Sequence, residues 1–404
     1  MQVLNDRLVT ENMVVEFHRT VKLPEDGKTY PLPASCGLFP VKRVADYKDT
    51  VPKEWLEHGG VFLPMYQREA MWLAFRKRAH QPCAIKIGVG KVNAITGEAW
   101  KDGLDGDAQD YLVAPPQKWL DGINAGDDVI KQFVAMPLGM GYSVEGQVTG
   151  EEKHGGLQLA IYPGKREHFP KPKRHKRKRK KTRYRSAGAV PTSKGASGQS
   201  LGFGWSADDG LDYAPHETHS TYCDDGGDPL YCCAVSASPA GGNQLVDTRE
   251  RGVDASPTVI RRSAKRVTAK AAQMGLSAGG SMRQKVYPDL YGVEVWDQDC
   301  KQRVFVHLVN STMYREITGE APPASPVTKG IYARMGYPWF DVWDHELEDV
   351  EASDKLAGVK TVAEKDKEHG FEGQQDDTNM PIETVHNCGT PEVVPNKGAL
   401  DGSW

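Results

Sequence analysis

Carboxylates placed next to a histidine can shuttle protons, and the stretch from 117 to 163 offers such a set. Glu145, Glu151 and His154 lie close together in it, with Asp121 upstream. Residues of these types suit general acid–base work, and a hydrolase is the enzyme class they would serve. The competing reading is a solubilising face beside a flexible turn. No second ligand pair with metal spacing accompanies the cluster, so no metal and no cofactor are expected.

Other suggestive groupings fail on spacing. Asp121, Asn124, Asp127 and Asp128 approach a calcium loop, but Ile123 and Ala125 stand where oxygen ligands and glycine belong. The GVGK string has Gly88 and Gly90 two apart, and Lys91 is followed by Val92 rather than Ser or Thr, so it does not form a phosphate loop. His216, His219, Cys223, Cys232 and Cys233 match no zinc-finger spacing. His18 and His307 sit inside apolar strand patterns and are expected in the core.

One run is basic. Between 164 and 185 there are thirteen Lys or Arg, among them Lys173, Arg174, Lys176, Arg177, Lys178, Arg179, Lys180 and Lys181. Such density resists collapse and suits contact with a polyanion, nonspecific nucleic acid included, through counterion release. It also fits nuclear targeting if the source is eukaryotic. Otherwise a cytoplasmic location is expected. The start lacks the basic and apolar regions of a secretory signal, and the seven cysteines are odd in number and scattered. No apolar run reaches the roughly eighteen residues of a membrane span.

The elements that must position these groups come from periodicity. Met13 to Leu23 alternates as a strand. Leu63 to His80 is expected to be a helix, with Pro64 in its first turn and Arg76, Lys77 and Arg78 at its end. Cys83 to Val92 is a strand leading to a turn at Thr96-Gly97. VIKQFVAM, YSVEGQVT and GGLQLAIY are expected as three strands of one antiparallel sheet. Its wet face would carry Glu145 and Gln147. Ser256 to Gly275 is expected as a helix with a capping Ser and Pro257 at its first position. YGVEVW and RVFVHLV are expected as a hairpin, followed by a short helix capped by Asn310 and ended near Gly319.

Four longer strings carry a resemblance. YQREAMWLAF, QKWLDGINAGDD, QFVAMPLGMGYSVEGQVTGEEKHGGLQLAIYP and YGVEVWDQDCKQRVFVHLVNSTMYREITGE are similar to blocks of a family of uncharacterised microbial proteins. The resemblance covers about 1–163 and 270–375, and the chain departs from it at about 165–255. No activity is established for that family, so it implies no site residues.

These readings give an α+β fold, a predominantly antiparallel β sheet or sandwich with a few packed helices, interrupted by a disordered insert. The expected boundaries are 1–163 for a β-rich block and 164–255 for a basic, Gly/Ser-rich insert. A helix–hairpin–helix block at 256–345 could complete the first domain, and an acidic disordered tail runs over 346–404. The expected function is non-enzymatic binding or assembly, through a protein partner or self-assembly. The alternatives are the hydrolase of Asp121, Glu145, Glu151 and His154, and polyanion contact through 165–185.

Overall fold

In the computed structural model, residues 2–171, 273–324, 327–341, 348–351 and 353–371 are described, with the backbone of 385–387. Seven long strands frame the molecule: β1 (Met13–Thr20), β2 (Ala70–Lys77), β3 (Cys83–Val89), β4 (Val129–Pro137), β5 (Leu157–Pro163), β6 (Gln273–Arg283) and β7 (Gln302–Val309). They run side by side in the order β1-β2-β4-β6-β7-β5-β3, all antiparallel. The short run 112–120 then ties the last of these to the second. Leu112 pairs with Ile85 of β3, and Trp119 pairs with Ala74 of β2. The sheet is thereby closed into a barrel from β2 round to β3, which removes two open edges.

Period-two patterning fills the barrel. Leu73 and Phe75 of β2, Ile85 and Ile87 of β3, and Phe133 of β4 point into one core. Leu159 and Ile161 of β5, Leu276 of β6 and Val306 and Leu308 of β7 join them. A smaller aromatic cluster, with Tyr111, Tyr162, Tyr291 and Trp296, covers the outside of β3 and β5. β5 and β6 flank β7, with Ile161 opposite Gln302 and Gln273 opposite Val309. Strands from before 164 and after 272 therefore share one sheet.

Three expectations are corrected here. Leu63 to His80 is not a helix: a strand, Val61–Pro64, turns at Arg68 into β2. Met71 to Phe75 are all buried, so the segment is covered on both faces and its periodicity carries no signal. YSVEGQVT is not a strand. After α1 (Lys53–His58), the second helix of the chain, α2 (Val144–Thr149), occupies it. Ser143 Oγ accepts from the Gly146 N–H, and Gly150 ends the helix at φ 79°. Val144 and Val148, read as alternation, are four apart and equally helical. The flanking strands β4 and β5 are consequently not neighbours, and no three-stranded unit exists. YGVEVW is no strand either, since Val293–Val295 forms a 3-10 turn and the hairpin is absent.

Other readings hold. Asn310 caps α3 (Ser311–Thr318) by accepting from the Met313 N–H, and Gly319 ends it at φ 73°. His307 is core-like, stacked on Trp55 of α1 at 4.2 Å between ring centres, with Nε2 3.0 Å from the Gly59 carbonyl. The helix expected over Ser256 to Gly275 lies outside the described residues up to 272, and from Gln273 the chain is β6.

The chain after 346 is not all tail. Beyond α4 (Lys329–Arg334), residues 348–371 lie along the barrel as a strap that includes α5 (Asp354–Ala357) and α6 (Val362–Glu368). Leu356, Val359 and Val362 are buried in it.

Candidate binding surface

The four residues expected to do acid–base chemistry are held apart by what they bond. Asp121 is 2% exposed, and Gln284 clasps it. The Asp121 N–H donates to Gln284 Oε1 at 3.0 Å, and Gln284 Nε2 donates back to Oδ1 at 2.9 Å. Burial pushes its carboxyl up to about 7, against the Gln284 hydrogen bond. Glu145 is buried too, and its Oε2 accepts the N–H groups of His154 and Gly155, both at 3.0 Å. It lies against Gly90, where an added Cβ would come within 2.5 Å of the Glu145 carboxyl carbon. Glu145 is thus a brace for a turn rather than a wet-face residue.

Glu151 and His154 stay at the surface. Glu151 pairs with Lys153 at 2.5 Å, which lowers its pKa. His154 meets Glu145 through its backbone N–H. What burial its ring has, with Lys91, His58 and Lys153 nearby, holds the imidazole below the ordinary histidine value despite Glu145. The neighbouring Glu152 does more structural work than either. It accepts from the N–H groups of Gly139, Gly141 and Ser143 and from the Ser143 hydroxyl. Burial opposes its charge, but those donors hold its carboxyl below the usual range. A carboxylate committed to three or four donors has little capacity left for a substrate.

A nucleophile–base–acid order does occur elsewhere, missed in the sequence because His18 reads as core. Ser35 Oγ lies 2.7 Å from His18 Nδ1, and His18 Nε2 lies 3.3 Å from Glu16 Oε2. The imidazole stacks on Trp72 at 3.9 Å. Burial lowers the His18 pKa, so the ring is neutral at pH 7. Burial also works against the Glu16 charge, yet hydrogen bonds from His18 and Arg7 bring its pKa to about 2. Ser35, His18 and Glu16 are all buried, and the Ser35 hydroxyl also accepts the Gly37 N–H at 3.2 Å. The chain of bonds pins the 34–39 loop to β1.

The polar side chains of 117–163 instead converge on the strap. Asn124 Nδ2 donates to the Val350 carbonyl at 3.0 Å. Lys131 Nζ donates to the carbonyls of Ala357 and Val359 at 3.0 and 2.7 Å. Gln147 pairs both ways with one peptide unit: Nε2 donates to the Lys360 carbonyl at 3.0 Å, and Oε1 accepts the Lys360 N–H at 2.8 Å. Asp349 reaches the other way, its carboxylate accepting the N–H groups of Asp128 and Val286 at 2.9 and 2.7 Å. Side-chain amides aimed at backbone groups are how a surface reads an extended peptide.

A charged anchor completes the surface. Arg68 Nη2 donates to both oxygens of Asp366, at 2.8 and 2.7 Å, and the Tyr142 hydroxyl donates to Asp366 Oδ1 at 2.8 Å. Burial, with the Asp366 contact, raises the Tyr142 pKa to about 12, so it remains a donor. Arg68 has φ 66°, an uncommon conformation for a side chain larger than glycine. Between these polar contacts sit the apolar plugs. Leu356 fills the space above Gly97, where a Cβ would approach its Cγ to 2.9 Å. Val362 packs with Ala70, Val134, Met136 and Tyr142.

Some of this was legible. Thr361 and Glu364 form a capping box, a signature readable as Ser/Thr-x-x-Glu. Arg68 carried no signal, because its role comes from backbone geometry and a partner almost 300 positions away.

Among the described residues no group of three or more His, Cys, Asp or Glu is placed to hold a metal ion. No described helix is long and apolar enough to cross a membrane. The polyanion residues Lys173 to Lys181 lie outside the described residues. No family model matches the chain, and no curated protein or solved structure matches it either.

Proposed function

We propose that this chain is a binding or assembly protein whose recognition surface is built by Asn124, Lys131, Tyr142, Gln147 and Arg68. One observation carries the reading: these side chains engage a peptide segment, residues 348–371, through backbone hydrogen bonds, apolar plugs and one carboxylate anchor. The chemistry recognised is a segment with spaced aliphatic residues followed by an acid one helical turn after the last of them, as in Val362 and Asp366. The commitment of Glu145 and Glu152 to backbone N–H groups supports the same reading. Affinity capture at mild salt, with sedimentation of the purified chain, tests it. The expected result is a stable partner or self-association. A chain that stays alone and turns over a substrate would overturn it.

A hydrolase is a second reading, favoured by the Ser35–His18–Glu16 order rather than by the 145–154 cluster. It requires that a fluorophosphonate label Ser35 in the folded chain and not in Ser35→Ala. Polyanion contact through 165–185 rests on charge density alone, and it requires affinity that falls steeply with salt and is lost when that run is deleted.

A further inference from the structure

The strap is one continuous segment, and the hydrogen bonds described above place its partners at residues 68–147 and at Val286. Glu25 adds another, accepting the Ala363 N–H, and Thr361 bridges Ala278 of β6 in parallel. The element directly before the strap belongs to a different neighbourhood. Trp339–Asp341 pairs with Leu32–Pro33, and the Tyr332 hydroxyl accepts the Ala34 N–H at 2.7 Å. A short linker, from Asp341 to Glu348, joins the two. Fully extended, a linker of that length reaches roughly 25 Å at about 3.5 Å per residue.

We propose that the partner recognised by this surface is a second copy of the chain, with the strap 348–371 of each protomer seated on the barrel of the other. The proposal rests on the assembly reading and names its partner. A segment that fits the surface within one chain fits it equally from another, because the contact set is the same. Gln147 still meets the Lys360 peptide, Arg68 and Tyr142 still meet Asp366, and Leu356 still fills the space above Gly97. Exchange therefore leaves the strap contacts unchanged and alters only the linker path, and this is why swapping an element is a low-cost route to a symmetric dimer. The fit is also specific. It combines a two-way amide–peptide pair, a carboxylate held by a guanidinium and a hydroxyl, and buried residues spaced three apart at 356, 359 and 362. Unrelated surface segments seldom combine all three.

The test uses the full chain carrying Gln147→Cys and Lys360→Cys, positions that touch across the strap. Two preparations, one labelled with nitrogen-15, are mixed by unfolding and refolding together, oxidised, and analysed by intact mass and by mapping of the linked peptides. Chains of unchanged sequence, oxidised in parallel, report links through native cysteines. The expected result is a covalent dimer in which about half of the 147–360 links join chains of different label. Links confined to single chains, or no 147–360 link in a folded chain, would overturn the exchange. Sedimentation of the unmodified chain separates the two failures. If it is oligomeric while the links stay within chains, the assembly reading survives and the exchange falls. If it is monomeric with no captured partner, both fall.

Discussion

Asp121 is enclosed with a single neutral clasp, and this gives it a measurable signature. Its native pKa of about 7 exceeds the unfolded value of 3.8. Between those values the native state keeps a proton that the unfolded chain has lost. The stability linked to that proton is complete below about pH 4 and falls as pH rises through 7, at up to about 1.4 kcal/mol per pH unit. Asp128, Lys285 and Asp349 lie around the same segment and titrate or stay charged beside it. Asp121→Asn can still accept from Gln284 and carries no charge at any pH. The variant is expected to melt above the parent at pH 8, with the gap closing towards pH 4. A variant that melts below the parent at pH 8 would contradict the assignment. Glu152 gives the opposite case. Glu152→Ala strips the acceptor from Gly139, Gly141 and Ser143, and is expected to cost about 1–3 kcal/mol in denaturant unfolding. An unchanged midpoint would show those donors to be satisfied by water. Both residues were visible in the sequence as acids, but their roles were not. Composition cannot say whether a carboxylate faces a substrate or the backbone of its own turn.

At the level of elements, the strap links an acidic, tail-like composition to a packed structure. Its charged residues outnumber its apolar ones, so a compositional reading assigns it to solvent. Only Leu356, Val359 and Val362, with the capping box at Thr361 and Glu364, indicate order. Leu356→Ala removes the plug over Gly97 and is expected to loosen the strap by about 2–5 kcal/mol, the usual range for a buried leucine. Limited proteolysis would then cut within 348–371 well before the barrel strands. If parent and variant are cut there at the same rate, the plug does not hold the strap. The same limits on sequence reading explain the other elements. Strands with one covered face, such as Met13–Thr20, and capped helices, such as Ser311–Thr318, were legible because their signals are local. Ala70–Lys77 was read as helix because both of its faces are covered and no period survives.

For the whole molecule, barrel closure and the sharing of one sheet by strands on either side of 164–272 depend on pairings hundreds of residues apart, to which local pattern is blind. The antiparallel β character was legible; the order of the strands was not. The surface that results is polar, as the sequence suggested for 117–163, but its polar groups face residues 348–371 rather than water. Hydrogen exchange of the full chain tests that most directly. The amides of Val350, Lys360 and Ala363 donate to Val286, Gln147 and Glu25, so peptides covering 348–371 should exchange far more slowly than unstructured chain. Asp366→Asn should speed that exchange while β3 and β5 keep their protection. Exchange of 348–371 at the free-peptide rate in the unmodified protein would contradict the docked strap, and with it the recognition surface.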